Sequence, residues 1–338
     1  MEKSTKPTFT LDFEQPIQLL RERFEEMVRL SGENGCEVGP ELEAMRARID
    51  ETVRRIYREL TPWQRVQVAR HPRRPYALDY IRALFDDFQE LHGDRCFGDD
   101  QALIGGTAWF EGRPIMVIAQ QKGRDTRENI ARNFGMPHPE GYRKALRLMK
   151  LAEKFHMPVV VFIDTKAAFA GIGSEERHVS EAIARNLLEM SALETPTLGV
   201  IIGEGGSGGA LGVAVVDRLL TMEYAYYSVI PPEGCAAILW RSREYTEKAA
   251  AALRLGGQEL VRQGIADGMI PEPEGGAHND PDSAADILRE HISRNLAELR
   301  RIPLERLLEN RYAKYRNMGV YAEGAESPAM KAGIAVAG

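Results

Sequence analysis

The stretch that most restricts how this chain can fold is 197–217, TLGVIIGEGGSGGALGVAVVD. An apolar run that ends in clustered glycines and restarts in Leu-Gly-Val-Ala-Val-Val predicts a buried strand, a tight turn and a packed helix. The glycines then lie at a helix N-terminus, where the first amide N–H groups lack intrahelical partners and the dipole favours negative charge. Such a turn holds an oxyanion or a phosphate. Four readings compete on this local pattern. Gly203, Gly205 and Gly208 spell G-x-G-x-x-G, a dinucleotide fingerprint, with acidic Glu223 about twenty residues on. Gly205, Ser207 and Gly209 spell G-x-S-x-G, the nucleophile elbow of serine hydrolases. In the third reading the backbone N–H groups of Gly208 and Gly209 are oxyanion donors. In the fourth the glycines only let a helix pack closely on a sheet.

Upstream, Ile17, Leu20, Phe24, Met27 and Leu30 recur at helical spacing, as do Leu42, Met45, Ile49, Val53, Ile56 and Leu60. The connector 31–40, rich in glycine and closed by Pro40, makes the pair an antiparallel helical hairpin. Thr61 and Pro62 read as an N-cap and first helical position. The basic segment 69–76, ARHPRRPY, is turn-like between its prolines, either a solvated linker or a contact for phosphate or an acidic partner. A helix carrying Tyr80, Ile81, Leu84, Phe85, Phe88 and Leu91 is expected to end near Gly93.

Strands follow at 103–110 and 114–119, with a turn at Glu111 and Gly112. The stretch 121–135 reads as a loop whose Lys122, Arg124, Arg127 and Arg132 either meet an anionic group or face solvent. A helix over 142–156 leads to a buried strand at 159–163 with Asp164 at its end, then to the loop 165–174 and a helix from near Glu175. Two strand, glycine loop, helix units thus stand side by side, and a parallel sheet brings both loops to one crevice. A strand pair at 219–230, a helix from Pro231 or Pro232, a last strand in IADGMIPE and helices at 282–299 and 303–317 complete the pattern. The tail from Gly319 reads as disordered.

Composition narrows the classes. With 338 residues, 43% hydrophobic and 28% charged, the chain has material for a sizeable core. No apolar run approaches a membrane span and the first twenty residues carry no signal-peptide core, so a cytoplasmic protein is expected. Cys36, Cys96 and Cys235 are far apart, against a disulfide framework or a metal site built from cysteines. A net charge of −6 argues against nonspecific nucleic-acid binding. A P-loop is excluded, because no Lys-Ser or Lys-Thr follows the glycines, and the dinucleotide loop stands too late in the chain. The hydrolase reading finds Asp217 or Asp267 with His278 or His291 in the order serine, acid, histidine, yet nothing places a histidine near Ser207. The backbone-donor reading needs no histidine, cysteine or metal.

GEGGSGGA, together with DFEQPI, ARHPRRPY, NFGMPHPEGYRKALRLM, SEAIARNL, PEGCAAILW and IPEPEGGAH, resembles the alpha subunit of bacterial acetyl-coenzyme A carboxylase carboxyltransferase, in order from about residue 11 to residue 318. The resemblance implies an α/β crotonase-like superhelix of strand-strand-helix repeats, with an N-terminal helical hairpin and C-terminal helices. Its parts are a helical extension over 1–95, the carboxyltransferase core over 96–272, C-terminal helices over 273–318 and a disordered tail over 319–338. It also implies an alpha2beta2 heterotetramer in a holoenzyme with biotin carboxylase and a biotin carboxyl carrier protein. The beta subunit would carry a zinc ribbon and most of the acetyl-coenzyme A site; this chain would bind no cofactor or metal.

In the implied chemistry, carboxybiotin on the carrier releases carbon dioxide, the biotin anion takes a proton from the acetyl group, and the enolate attacks the carbon dioxide to give malonyl-coenzyme A, the committed step of fatty acid synthesis. Gly208 and Gly209 are then the donors for the biotin oxygen, and glycine is required because a side chain would fill the space the ring approaches. Losing one such donor typically costs about 2.7 to 4 kcal/mol of barrier, or roughly 100- to 1000-fold in rate. Gly205, Gly206, Ser207, Lys166, Ala167, Ala168, Phe169 and Gly171 line the carboxybiotin pocket, with Lys122 and Arg124 as anion contacts. Where the family reads DTPGAYPGxGAEERGQ, this chain reads DTKAAFAGIGSEERHV, and Pro231 stands where the family often has serine. The loss of two prolines and a glycine predicts a less rigid loop, and Lys166 adds a charge that faces solvent, pairs with Asp164 or holds a carboxylate. The readings set against the carboxyltransferase are a serine hydrolase using Ser207, a weakened or altered-substrate paralogue, and a scaffold that only assembles.

Overall fold

The computed structural model describes residues 9–34 and 39–319. Helices α1 (Gln15–Asn34) and α2 (Gly39–Arg58) pack on each other as the expected hairpin. Helix α1 runs into the stretch read as a connector, of which 35–38, with Cys36, lie outside the described residues, as does the tail from 320. Thr61 and Gln64 close a capping box around Pro62 at the start of α3 (Pro62–Ala69).

Helix α4 (Ala77–Leu84) stops well before Gly93, because Phe85 turns extended and β1 (Asp86–Glu90), with Phe88, joins the sheet edge. Its polar sequence and exposed faces hide the strand from periodicity. What admits it is Gly106 in β2 (Leu103–Phe110): a Cβ there would meet the Gln89 carbonyl oxygen at 2.0 Å. Residues 86–90, grouped by sequence with the helical extension, therefore belong to the sheet. Strand β3 (Arg113–Gln120) pairs antiparallel with β2 across a turn in which Glu111 and Gly112 both take positive φ, the two-residue hairpin geometry. The expected loop at 121–135 contains a helix instead, α5 (Thr126–Ala131), started by Asp125, whose carboxylate accepts from Glu128 N at 2.8 Å.

After α6 (Pro139–Lys154) come β4 (Val159–Thr165), α7 (Ile172–Glu176) and α8 (Val179–Ser191), with left-handed His178 breaking the helix that the sequence reads as continuous. Strand β5 (Thr197–Gly206) follows, buried along its whole length, then α9 (Ser207–Leu211). The expected packed helix thus ends at Leu211, and Val213 and Val216 are fully buried in irregular chain. The remainder is β6 (Arg218–Met222), β7 (Tyr226–Ser228), α10 (Pro232–Trp240), α11 (Thr246–Leu253), α12 (Gly257–Arg262), β8 (Gly268–Ile270), α13 (Pro281–Leu299) and α14 (Leu304–Arg316).

The sheet order is β1-β2-β3-β4-β5-β6-β8, parallel from β3 onward. Strand β5 outruns β6 and takes a second parallel partner, β7, along Glu204–Gly206. It pushes its glycine end beyond the main sheet. Each fully buried Val, Ile or Phe of β4 and β5 contributes about 1.5–3 kcal/mol. Helix α14 is locked down by buried Arg311, which holds both oxygens of Asp217 at 2.8 and 2.9 Å and the carbonyls of Met190, Leu193 and Thr195.

The N-terminal elements dock through residues from three distant motifs. Tyr57 donates to Glu14, whose carboxylate lies 3.2 Å from His278 Nε2, and the rings of His71 and His278 stack at 4.0 Å. Burial, then the neighbouring His278, holds His71 down at about 3, so it is neutral when folded. Burial works to raise Glu14, but hydrogen bonds from His278 and Tyr57 outweigh it and hold the carboxyl at about 2. As pH falls below 6.5 the unfolded His71 binds a proton that the folded ring refuses until about 3, so stability drops across that window. Glu14 adds a further loss as pH falls from 4.5 toward about 2. The urea midpoint is expected to decrease steadily on acidification from about pH 7 to about pH 4.5, with His71→Phe giving a flatter profile.

Candidate active site

Strands β4 and β5 run parallel and finish together, with Thr165 opposite Gly205. The turns beyond them press backbone on backbone. A Cβ at Gly206 would lie 1.7 Å from the Lys166 carbonyl oxygen, and one at Gly209 would lie 2.2 Å from Ala168 N and 2.3 Å from the Ala167 carbonyl carbon. At Gly205 it would meet the Tyr227 ring at 2.4 Å, and at Gly203 the Asp164 carboxylate at 2.5 Å. These four glycines are dictated by the chain's own packing. Gly208 differs: the nearest atom to its Cβ position is Ile183 Cδ1 at 3.7 Å, an ordinary contact, and its φ is not positive. A Cβ there would displace nothing.

Gly208 and Gly209 are the second and third residues of α9, so their N–H groups have no intrahelical acceptor. Asp164 N, Gln120 and Tyr142 surround the same turn from inside, and Gly209 is buried while Gly208 is half-exposed. The requirement for glycine at 209 therefore comes from the Ala167–Ala168 peptide rather than from ligand space. Only at 208 does a missing side chain leave room for a visitor.

Beneath the turn lies a buried charge cluster. Glu204 accepts from Lys122 Nζ at 2.8 Å, Arg70 Nε at 2.7 Å and Tyr226 OH at 2.6 Å. Lys122 also holds Asp164 at 2.6 Å, and Arg70 holds Glu233, in the first turn of α10, at 2.5 Å. Burial tends to raise Glu204, but Lys122 and then Arg70 hold it at about 2. Arg74, wholly buried, clasps Glu272 at 2.6 and 2.8 Å and the Ile202 carbonyl at 2.8 Å. In the segment 69–76, Arg70 and Arg74 thus turn inward and fasten β5, while Arg73 stays exposed. The clue in the sequence was a lone acid inside each of two apolar runs, Glu204 at the end of β5 and Glu272 just after β8.

Among the residues expected at the site, Lys122 and Arg124 meet anions of this chain. Arg124 pairs with Asp79, donates to the Pro72 and Arg74 carbonyls and lies over the Tyr76 ring. Ala167 and Ala168 abut Gly209, and Phe169 packs its ring edge-on to His138 while its N donates to the Pro137 carbonyl. A Cβ at Gly171 would strike the Phe169 ring. Lys166 presents its carbonyl to Gly206 and its side chain to solvent, since Asp164 already belongs to Lys122.

Ser207 does take the strained φ of 54° expected of an elbow. Its proposed partners are engaged elsewhere. Asp217 holds Arg311, Asp267 pairs with Lys314, His278 contacts Glu14, and His291 lies against Arg294. Glu223, the expected ribose acid, follows β6 and accepts from Glu272 N at 3.1 Å. Glu14, His71 and His278 offer ligand atoms within 4.8 Å of one another. Their stacked imidazoles keep the lone pairs in nearly parallel planes, so one metal ion does not lie in both. Cys96 and Cys235 are free thiols, the first exposed and the second buried.

A mixed sheet whose parallel strands end in a glycine turn is a fold shared with solved carboxyltransferases and decarboxylases. The fold is similar to transcarboxylase 12S, with a TM-score of 0.54 at 16% identity over 74% of this chain and 43% of that one, so the chain spans less than half of that subunit. It is also similar to a chain of a Pseudomonas malonate decarboxylase hetero-tetramer, with a TM-score of 0.52 at 20% identity over 65% of this chain and 90% of that one. Residues 10–319 match the family described as acetyl co-enzyme A carboxylase carboxyltransferase-like, and the chain belongs to that family. It is 51% identical to the acetyl-coenzyme A carboxylase carboxyl transferase subunit alpha of Methylococcus capsulatus over 93% of this chain and 98% of the relative. With the subunit alpha of Gemmatimonas aurantiaca it shares 53% identity over 93% and 98%.

Two stability predictions follow from the packing. Gly208→Ala should leave stability within about 0.5 kcal/mol of wild type, while Gly209→Ala, forced against the Ala167–Ala168 peptide, should lose about 1–3 kcal/mol or more, both read by urea denaturation. Lys122→Met strands two buried carboxylates and should cost about 3–5 kcal/mol by the same measurement.

Proposed function

We propose that this chain is the subunit of acetyl-coenzyme A carboxylase that receives carboxybiotin and passes its carboxyl group toward acetyl-coenzyme A, forming malonyl-coenzyme A. The observation that carries this reading is Gly208, a glycine the fold does not need, set beside N–H groups without helical acceptors at the mouth of the glycine turn. Carboxybiotin, when presented by its carrier protein, supplies a carboxyl group and leaves negative charge on the ureido oxygen. Gly208 and Gly209 N–H receive that charge, and the preformed turn spares the cost of turning dipoles during the reaction. The loop 166–169 and Gly171 wall the ring's approach. Ser207 supplies the turn, with no base to make it a nucleophile.

The acyl-coenzyme A half of the chemistry falls to a beta subunit with its own oxyanion donors and zinc ribbon, in an alpha2beta2 assembly in the cytoplasm. Exposed Val229, just before α10, and Ile238 and Leu239, near its end, favour a chain that buries apolar surface against a partner. No helix of the described residues is long and apolar enough to cross a membrane.

Co-purification with the cognate beta subunit and assay of malonyl-coenzyme A from carboxybiotin tests the proposal. Turnover is expected, retained by Ser207→Ala and abolished by Gly208→Ala in an assembled complex. A complex that assembles yet stays silent until Lys166→Pro and Ala167→Gly are introduced would overturn the active-enzyme reading in favour of a degenerate scaffold. Labelling of Ser207 by a fluorophosphonate would favour the hydrolase.

A further inference from the structure

We infer that Gln120 and Tyr142 are positioning residues for the Gly209 donor; this rests on the carboxyl-transfer reading above. Glycine creates a difficulty at this turn. The absence of Cβ admits the neighbouring backbone, but it also gives the peptide units freedom that blurs the aim of their N–H groups. The structure answers with buried donors on the opposite side of the turn.

Helix α9 stops after five residues because Val213 N turns to the Ala210 carbonyl at 3.2 Å, leaving the Gly209 carbonyl without a helical donor. Gln120 Nε2 takes that oxygen at 2.7 Å and Tyr142 OH at 3.0 Å. Both side chains are fully buried, and burial keeps the phenol well above its ordinary range, so it remains a donor at working pH. Gln120 is itself fixed at its other end, where Oε1 accepts from Asp164 N at 3.1 Å. On the other flank of Gly209, Gly212 N closes on the Gly208 carbonyl at 2.9 Å, and Asn186 Nδ2 holds the Gly212 carbonyl at 2.9 Å.

Each peptide unit is planar, with its N–H directed opposite to its carbonyl. Anchoring the carbonyls of 208 and 209 therefore fixes both peptide planes that meet at the Gly209 Cα. The Gly209 N–H lies in the first, held by Gly212 N; Gln120 and Tyr142 hold the second and so limit rotation about the Gly209 Cα between them. The donor is aimed by groups on β3, α6 and α8, none of which meets the ligand side. Neither side chain neighbours the Gly208 Cβ position, so both act through the turn.

Tyr142→Phe tests this, because the ring that packs against Gly212 stays and only the donor is lost. In the assembled alpha and beta complex, well below its melting temperature, kcat should fall on the order of 10-fold with KM for acetyl-coenzyme A unchanged, less than the roughly 100- to 1000-fold of losing a donor outright. Gln120→Met should act in the same direction, and the double variant more strongly than either. Amide hydrogen exchange at Gly209 should quicken in Tyr142→Phe. Unchanged kcat and exchange with only a lowered melting temperature would make both residues purely structural and overturn the inference. If wild type forms no malonyl-coenzyme A, the functional reading fails, while the exchange measurement still decides whether Tyr142 holds the turn.

Discussion

Contact between two stretches of main chain, 166–168 after β4 and 206–209 after β5, is the constraint on which the rest of the site depends. No residue with a Cβ can occupy 206 or 209 without displacing the opposing peptide. The contact uses the Lys166 carbonyl, the Ala167 carbonyl carbon and Ala168 N, all backbone atoms. This explains how a loop with altered side chains at 166 and 167 keeps its place: the packing reads the main chain, and Lys166 sends its charge to solvent.

The long N-terminal part is tied into this arrangement rather than appended to it. Arg70 and Arg74 leave α3 and reach β5 from below, one on Glu204 and the other on Glu272 and the Ile202 carbonyl. Buried charges persist only when paired and hydrogen-bonded, so each ion here fixes its partner's position as well as its own. Arg70 extends the network to Glu233 and so connects the glycine strand with the start of α10. Glu14, Tyr57, His71 and His278 form a second joint between the same regions.

Much of the fold was legible where periodicity was strong. The hairpin of α1 and α2, the capped start of α3, the β2–β3 pair and the buried β4 and β5 lie where apolar spacing put them. The misses share a cause. Strand β1 is polar and exposed, and only the gap at Gly106 seats it. The helix expected through Val216 ends at Leu211, where Val213 N turns to the Ala210 carbonyl and the Gly209 carbonyl goes instead to Gln120 and Tyr142. Local pattern does not register partners that arrive from ninety residues away.

The sequence by itself determined the glycine turn at a strand end and, through its long motifs in order, the family. Only the tertiary structure decided which glycine serves what. Gly203, Gly205, Gly206 and Gly209 make way for the chain, whereas a Cβ at Gly208 would displace nothing. It also decided that Lys122 and Arg70 meet on Glu204. The physical reason is common to both: a glycine's purpose and a charge's partner are set by what lies across the fold, and spacing along the chain carries no record of it.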